Sequence, residues 1–216
     1  MNYLTVYKTF TDINSSWEDI LKAMENAEWN SLENVNWAEY DYCPHVQFRM
    51  LYSHQAFFLQ YKIKEQSVRA VATTDNGEVW KDSCVEFFIS PNQDDGIYYN
   101  FEFNCIGTCL IAAGIPHQNR DFATPEKISS IRRLPDLGFQ PFEERKNLTE
   151  WQLSVVIPYS SFFKHPDFSP EGKEVHANFY KCGDELTIPH FLSWNPVKTE
   201  KPDFHRPEFF GKIKFV

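Results

Sequence analysis

The sequence predicts an all-β fold, an antiparallel two-sheet β-sandwich with one short N-terminal helix, and three observations carry that expectation. Aromatic residues make up 17% of the 216 residues, with 20 Phe, 10 Tyr and 6 Trp, and such side chains fit the half-buried, pleated surface of a sheet. Short apolar runs recur between turn sequences such as "TTDNGE", "SPNQDDG", "SPEGKE" and "EKPDFHRP", the punctuation of a sandwich or barrel. Convincing helical periodicity is confined to one segment. Sandwiches of this length commonly form one domain. No linker, repeat or low-complexity stretch divides the chain, so residues 1–216 are expected to form a single domain.

Taken in order, the helix comes first. Ser15 and Ser16 precede Glu18 and Asp19 at capping-box spacing. Trp17, Ile20, Leu21 and Met24 then recur at helical period, giving one apolar stripe that can pack as a lid on the sandwich. Strands follow at His45–Ser53, Ala56–Lys64, Ser83–Ser90, Ile97–Asn104, Cys109–Ala113, Ser129–Leu134, Leu148–Ile157, Val175–Lys181, Phe191–Trp194 and Phe209–Phe215, with a short helical turn at residues 158–163.

One hairpin can be read to its register. Val85, Phe87 and Ile89 alternate on one strand, and Tyr99, Phe101 and Phe103 on the next. If those faces share a core, Val85 lies opposite Phe103 and Phe87 opposite Phe101. Glu86 then opposes Glu102, and Phe88 opposes Asn100, on the other face. A slip of one residue would bury the glutamates in the core, so the pattern fixes the parity. The following "NCIGT" suits a type I turn with a glycine bulge at Gly107, which places Cys105 in the turn, unpaired with Cys109.

Composition also excludes partners. A formal net charge of −9 with no basic run opposes binding to duplex nucleic acid or to an anionic membrane. No apolar run approaches the roughly 20 residues needed to span a bilayer. The five cysteines, at 43, 84, 105, 109 and 182, show no CxxC and no zinc spacing and are expected to be buried free thiols. The seven histidines, at 45, 54, 117, 165, 176, 190 and 205, form no metal-ligand pattern. The N-terminus has no basic region followed by an apolar one. As it stands the chain is expected in the cytoplasm, or outside it if a signal has been lost.

The segments "VWKDSCVEFFISP" and "YYNFEFNCIGT", then "WQLSVVIPYSSF" and "SWNPVKTEKPDFHRPEFFGKIKFV", together resemble family 9 carbohydrate-binding modules, the domains associated with xylanases, over residues 29–216. The motifs are short; their order and spacing make the likeness. The resemblance implies a β-sandwich that binds sugar termini, as in xylan and related polysaccharides, between two tryptophans, and that carries structural calcium. Trp80 matches the first tryptophan, Trp194 the second, and Glu86 an acid that hydrogen-bonds sugar hydroxyls. Val79 stands where an acid is expected, Phe191 where asparagine is expected, and no arginine occupies the strand position near Glu102. Those departures imply an altered sugar specificity.

The residues support such a site on their own chemistry. An indole covers the C–H patch of a pyranose while polar groups orient its hydroxyls. Trp80 sits in the polar run "DNGEVWKD", unlike a core tryptophan; Trp17, Trp29, Trp37 and Trp151 are read as packing residues. Glu86 and Glu102 form either a solvated pair or, beside Asn100 and Asn104, a polar ligand or cation site. Asp75, Glu78, Asp94 and Asp95, with Asn76 and Asp82 nearby, offer oxygens for calcium or are ordinary solvated turns. The expected function is non-catalytic binding of a mono- or oligosaccharide. Two alternatives stand beside it. One is a xylanase-like glycoside hydrolase using Glu86 and Glu102, since retaining enzymes hold two carboxyls about 5–5.5 Å apart. The other is a protein-interaction domain. No GxSxG, HExxH or phosphate-loop motif is present.

Overall fold

The structure, a computed structural model, describes residues 1–116, 118 and 120–216; His117 lies outside the described residues. In chain order the strands are β1 Tyr3–Val6, β2 Asn30–Ser31, β3 Asn34–Val35, β4 His45–Tyr52, β5 Ala56–Glu65, β6 Val68–Ala70, β7 Cys84–Ser90 and β8 Tyr98–Asn104. They continue as β9 Cys109–Gly114, β10 Asp121–Phe122, β11 Arg132–Pro135, β12 Phe142–Arg145, β13 Thr149–Pro158, β14 Glu174–Cys182, β15 Phe191–Ser193 and β16 Gly211–Phe215. One sheet runs β1-β16-β14-β7-β8-β9-β10, with β15 and β3 branching from β14; the other runs β11-β13-β5-β4-β2; β6 and β12 form a small ribbon. Pairing is antiparallel except where β1 lies parallel to β16.

The two sheets face each other across a phenylalanine-rich core. Phe48 of the second sheet stacks on Phe179 of the first with ring centroids 3.7 Å apart, and Phe179 stacks in turn on Phe87 at 4.9 Å. Alternation along each strand sorts side chains to opposite faces. On β7, Val85, Phe87 and Ile89 join the inter-sheet core, while Cys84 and Phe88 join a second apolar cluster on the outer face. The hairpin has the register that alternation predicts, with Glu86 opposite Glu102 and Phe88 opposite Asn100. Gly107 closes the next turn at φ +83°.

Helix α1, Trp17–Met24, begins where its cap predicts: Ser16 Oγ accepts from the Asp19 N–H at 3.1 Å. Ile20 and Met24 are buried against Leu51, Phe58 and Val156 on the outer face of the second sheet, so the helix is a lid on the sandwich. A 3-10 turn follows at Tyr159–Ser161. The expected strand Ser129–Leu134 begins instead as a short helix, α2, Pro125–Ser129, and becomes strand only at Arg132. Thr124 followed by Pro125 and Glu126 is a helix start, and those residues precede the apolar run that suggested a strand. Among the described residues no helix is long and apolar enough to cross a membrane.

Candidate functional site

A cavity of about 400 Å³ opens on the outer face of the first sheet. Its floor is built by strand alternation: Glu86 and Phe88 from β7, Asn100 and Glu102 from β8, Leu110 and Ala112 from β9, and Cys182 from β14. Its walls are aromatic. Trp80 comes from a 3-10 turn at Val79–Lys81, Phe122 from β10, Phe191 from β15, and Phe204 and His205 from the segment before the last strand. Trp80 is half-buried and Phe122 is 56% exposed, so both rings present surface to a ligand.

The polar floor is almost dry. Glu86 is 3% exposed and Glu102 is 4% exposed. Glu86 Oε1 accepts from Cys182 Sγ at 3.1 Å, with Cys84 Sγ at 4.0 Å, and among the described residues Glu86 Oε2 has no hydrogen-bond partner. Burial, and then the Glu102 carboxylate, push the Glu86 carboxyl well above its ordinary value. Burial pushes Glu102 up to about 7, against the lowering effect of the Asn100 hydrogen bond and of Arg120. Asn100 Nδ2 donates to Glu102 Oε1 at 2.8 Å, and Asn100 Oδ1 accepts from Arg120 Nη2 at 2.6 Å. The Arg120 guanidinium stacks 3.9 Å from the Tyr98 ring centroid and also donates to the Gly114 and Tyr98 carbonyls. Arg120 reaches Asn100, beside Glu102, from the loop after β9. On the far wall Tyr98 Oη and His205 Nδ1 share a hydrogen bond of 2.6 Å.

Of the residues singled out in the sequence, Trp80, Glu86, Asn100 and Glu102 meet in this cavity. Trp194 does not. It is 6% exposed, lies edge-on to Phe48 and Phe179 in the inter-sheet core, and lies so close to Gly211 that a Cβ there would fall 2.5 Å from its ring. Alternation explains the correction: Leu192 and Trp194 point inward, so the outward aromatic of β15 is Phe191. Asn104 is also structural. Its Nδ2 donates to the Ala72 carbonyl and to Asp82 Oδ2, and its Oδ1 accepts from the Thr108 N–H. Asp82 is fully buried and accepts the Val71 and Ala72 N–H groups, pinning the loop that carries Trp80. Phe122, Phe204, Arg120 and Cys182 were not legible as site residues. Cys182 could have been placed by parity on β14, whereas the others come from loops or from a two-residue strand with no periodic signal.

The acidic turns do not fit calcium. Asp75 is bound by Arg133 at 2.8 Å and by the Cys109 N–H at 2.9 Å; Glu78 pairs with Lys81 at 3.0 Å; Asp95 takes His165 and the Ile97 N–H, each at 2.8 Å. Each of those carboxylates is engaged by the chain itself, and Asp94 meets none of them in a cluster of donors. Among the described residues the one group of three donors within 4.8 Å of one another is Cys84, Glu86 and Cys182.

A family model described as carbohydrate-binding family 9 matches residues 16–215. The chain is 45% identical to a candidate carbohydrate-binding protein from Bacteroides uniformis ATCC 8492, with 99% of each chain covered and a TM-score of 0.94. It is also similar to a family 9 module from Caldicellulosiruptor kristjanssonii solved with glucose, at 14% identity and a TM-score of 0.58, covering 100% of this chain and 96% of that one. The same module solved with cellotriose gives 14% and 0.58, with 99% and 93% covered. At that identity the likeness is one of fold. No curated protein matches the chain significantly.

Proposed function

Because the chain belongs to carbohydrate-binding family 9, we propose that the outer-face cavity is a non-catalytic sugar site in which Trp80 and Phe122 cover the C–H faces of a pyranose. Glu86, Asn100 and Glu102 accept or donate to its hydroxyls. The observation that carries this reading is the combination of half-exposed aromatic walls with a floor of buried acids, one oxygen of which lacks a partner. An apolar slot with a few convergent polar groups is the general form of a small-ligand site. Phe122 takes the place that the resemblance gave to a second tryptophan.

The paired glutamates argue against hydrolysis by their placement. They are register partners on adjacent strands and lie side by side on one floor, whereas a glycosidase sets its carboxyls on either side of the scissile bond. Glucose and cellotriose, the ligands of the Caldicellulosiruptor kristjanssonii module, are the first sugars to test, and xylo-oligosaccharides the second.

The test is a titration followed by tryptophan fluorescence and calorimetry. Stacking on one aromatic face contributes about 1–3 kcal/mol, so Trp80→Ala should weaken sugar binding by about tenfold or more while the melting midpoint holds. Unchanged affinity in Trp80→Ala and in Phe122→Ala would remove the sugar from this cavity. Calcium is settled separately: added to metal-free protein, it should leave the melting midpoint where it was, since a ligand specific to the native state must raise it.

A further inference from the structure

We propose that Cys84, Cys182 and Glu86 form a binding site for a thiophilic divalent cation, zinc in the first instance, whose open coordination position faces the cavity. Strand geometry brings the donors together. Cys84 and Glu86 are two residues apart on β7 and so share a face, and Cys182 is the register partner of Cys84 on β14. Their sulfur and oxygen atoms all lie within 4.8 Å of one another, with Cys182 Sγ 3.1 Å from Glu86 Oε1. Zinc bonds of about 2.3 Å to sulfur and about 2.0–2.2 Å to oxygen, arranged tetrahedrally, need donors roughly 3.4–3.8 Å apart. Small side-chain adjustments close that gap.

A second observation points to a missing partner. Glu86 Oε2, on the carboxyl whose other oxygen meets both thiols, is buried and meets no hydrogen-bond donor among the described residues. The groups that bear on Glu86 are mostly acids: Glu102 opposite it, the two thiols beside it, and Asp184 at the rim. Lys181 is the next residue before Cys182, but its ammonium is on the other face of the sheet, 2.9 Å from Glu65. A buried acid costs free energy unless it is paired or coordinates a metal, and no ion pair to Glu86 exists among the described residues. Binding would release both thiol protons and the Glu86 carboxyl proton to solvent, the two sulfurs then bonding the metal as thiolates and Glu86 as a carboxylate. Thiolates select zinc over calcium or magnesium. Three protein ligands leave the fourth position for water or a sugar hydroxyl, because Glu86 and Cys182 line the cavity.

The experiment uses reduced, chelator-treated protein with the exposed Cys43 replaced by serine, so that it cannot contribute. Cobalt(II) is titrated as the spectroscopic probe and then displaced with zinc. The expected result is one equivalent of cobalt, a near-ultraviolet thiolate-to-cobalt band of two-sulfur intensity, and its loss on adding one equivalent of zinc. Cys84→Ser and Cys182→Ser should each weaken zinc binding by 100-fold or more, and Glu86→Gln by a smaller factor. Absence of the charge-transfer band in the otherwise unmutated protein, which does not depend on any variant folding, would overturn the site. So would zinc affinity unchanged in both serine variants. The sugar site is judged independently by Trp80→Ala, whose loss of sugar binding does not depend on metal.

Discussion

Two buried glutamates, one in each of the facing sheets, have opposite solutions to the same problem. Glu65, at the end of β5, is fully buried between the sheets. Its Oε1 accepts from Trp151 Nε1 at 2.7 Å, and its Oε2 pairs with Lys181 at 2.9 Å. Lys181 spends its other protons on His190 Nε2 and the Cys182 carbonyl, each at 2.8 Å. His190 Nδ1 lies 2.9 Å from the Ile188 carbonyl; it must therefore carry the ring proton, which leaves Nε2 free to accept. Glu86, one sheet face away, has thiols and another acid instead of a cation. A single step along β14, from Lys181 to Cys182, separates the two environments. Both acids have one oxygen without a hydrogen bond of ordinary geometry, but at the first, Glu65, that oxygen has the Lys181 ammonium 2.9 Å away, and the pair ties the two sheets together. The second is left open, and openness of that kind belongs to a ligand site.

The largest test of this contrast removes the chain's own cation. Lys181→Met should destabilise the fold by about 3–5 kcal/mol in urea or thermal unfolding, because it leaves Glu65 charged and unpaired in the interior. Glu65→Gln should cost a comparable amount by orphaning Lys181. If either variant melts with the parent, the inter-sheet pair is not a structural element and the contrast collapses.

A pH titration of stability sharpens it next. Burial first, and the Lys181 charge second, hold His190 well below its ordinary value, so it stays neutral in the folded chain. The unfolded chain takes up that proton below about pH 6.5. Stability from this group is therefore fully present above that pH and falls as the pH drops through it, by about 1.4 kcal/mol per unit. Comparing the parent with His190→Gln isolates the slope, which should be shallower in the variant. Equal slopes would mean that His190 accepts a proton in place.

The smallest effect is expected on the open side. Glu86→Gln should change the unfolding free energy of metal-free protein by less than about 1 kcal/mol, since burial and the neighbouring Glu102 already favour the uncharged carboxyl and the amide is an uncharged group of the same shape. A large loss instead would show that the Glu86 carboxyl already has a structural partner.

These two regions were not equally legible in the sequence. The floor of the cavity was, because Val85, Phe87, Phe101 and Phe103 fix the parity of the hairpin, and Glu86, Asn100 and Glu102 must then share the opposite face. The Ser16 cap likewise set the start of α1. Trp194 was misplaced because family likeness aligned a residue type, whereas the parity of Leu192 and Trp194 on a three-residue strand decides which way the ring points. The Glu65–Lys181–His190 network left no local trace, since Glu65 lies on a strand more than a hundred residues before the other two and His190 on an aperiodic loop. Composition likewise marked Asp75 and Asp95 as spare acids, but only the fold shows Arg133 and His165 arriving to occupy them.

The strand order of the first sheet has a consequence for the chain as it leaves the ribosome. β7, with the sequence CVEFFIS, pairs on one side with β8 and on the other with β14. Its β8 partner follows within a few residues, but β14 is made only after the whole of β9 to β13. Throughout that interval an apolar edge rich in unpaired N–H and carbonyl groups stands open, the kind of surface that recruits strands from other chains. The nascent protein is thus most exposed to aggregation just before residues 174–182 emerge. Once β14 has docked, both edges of β7 are paired and that exposure ends.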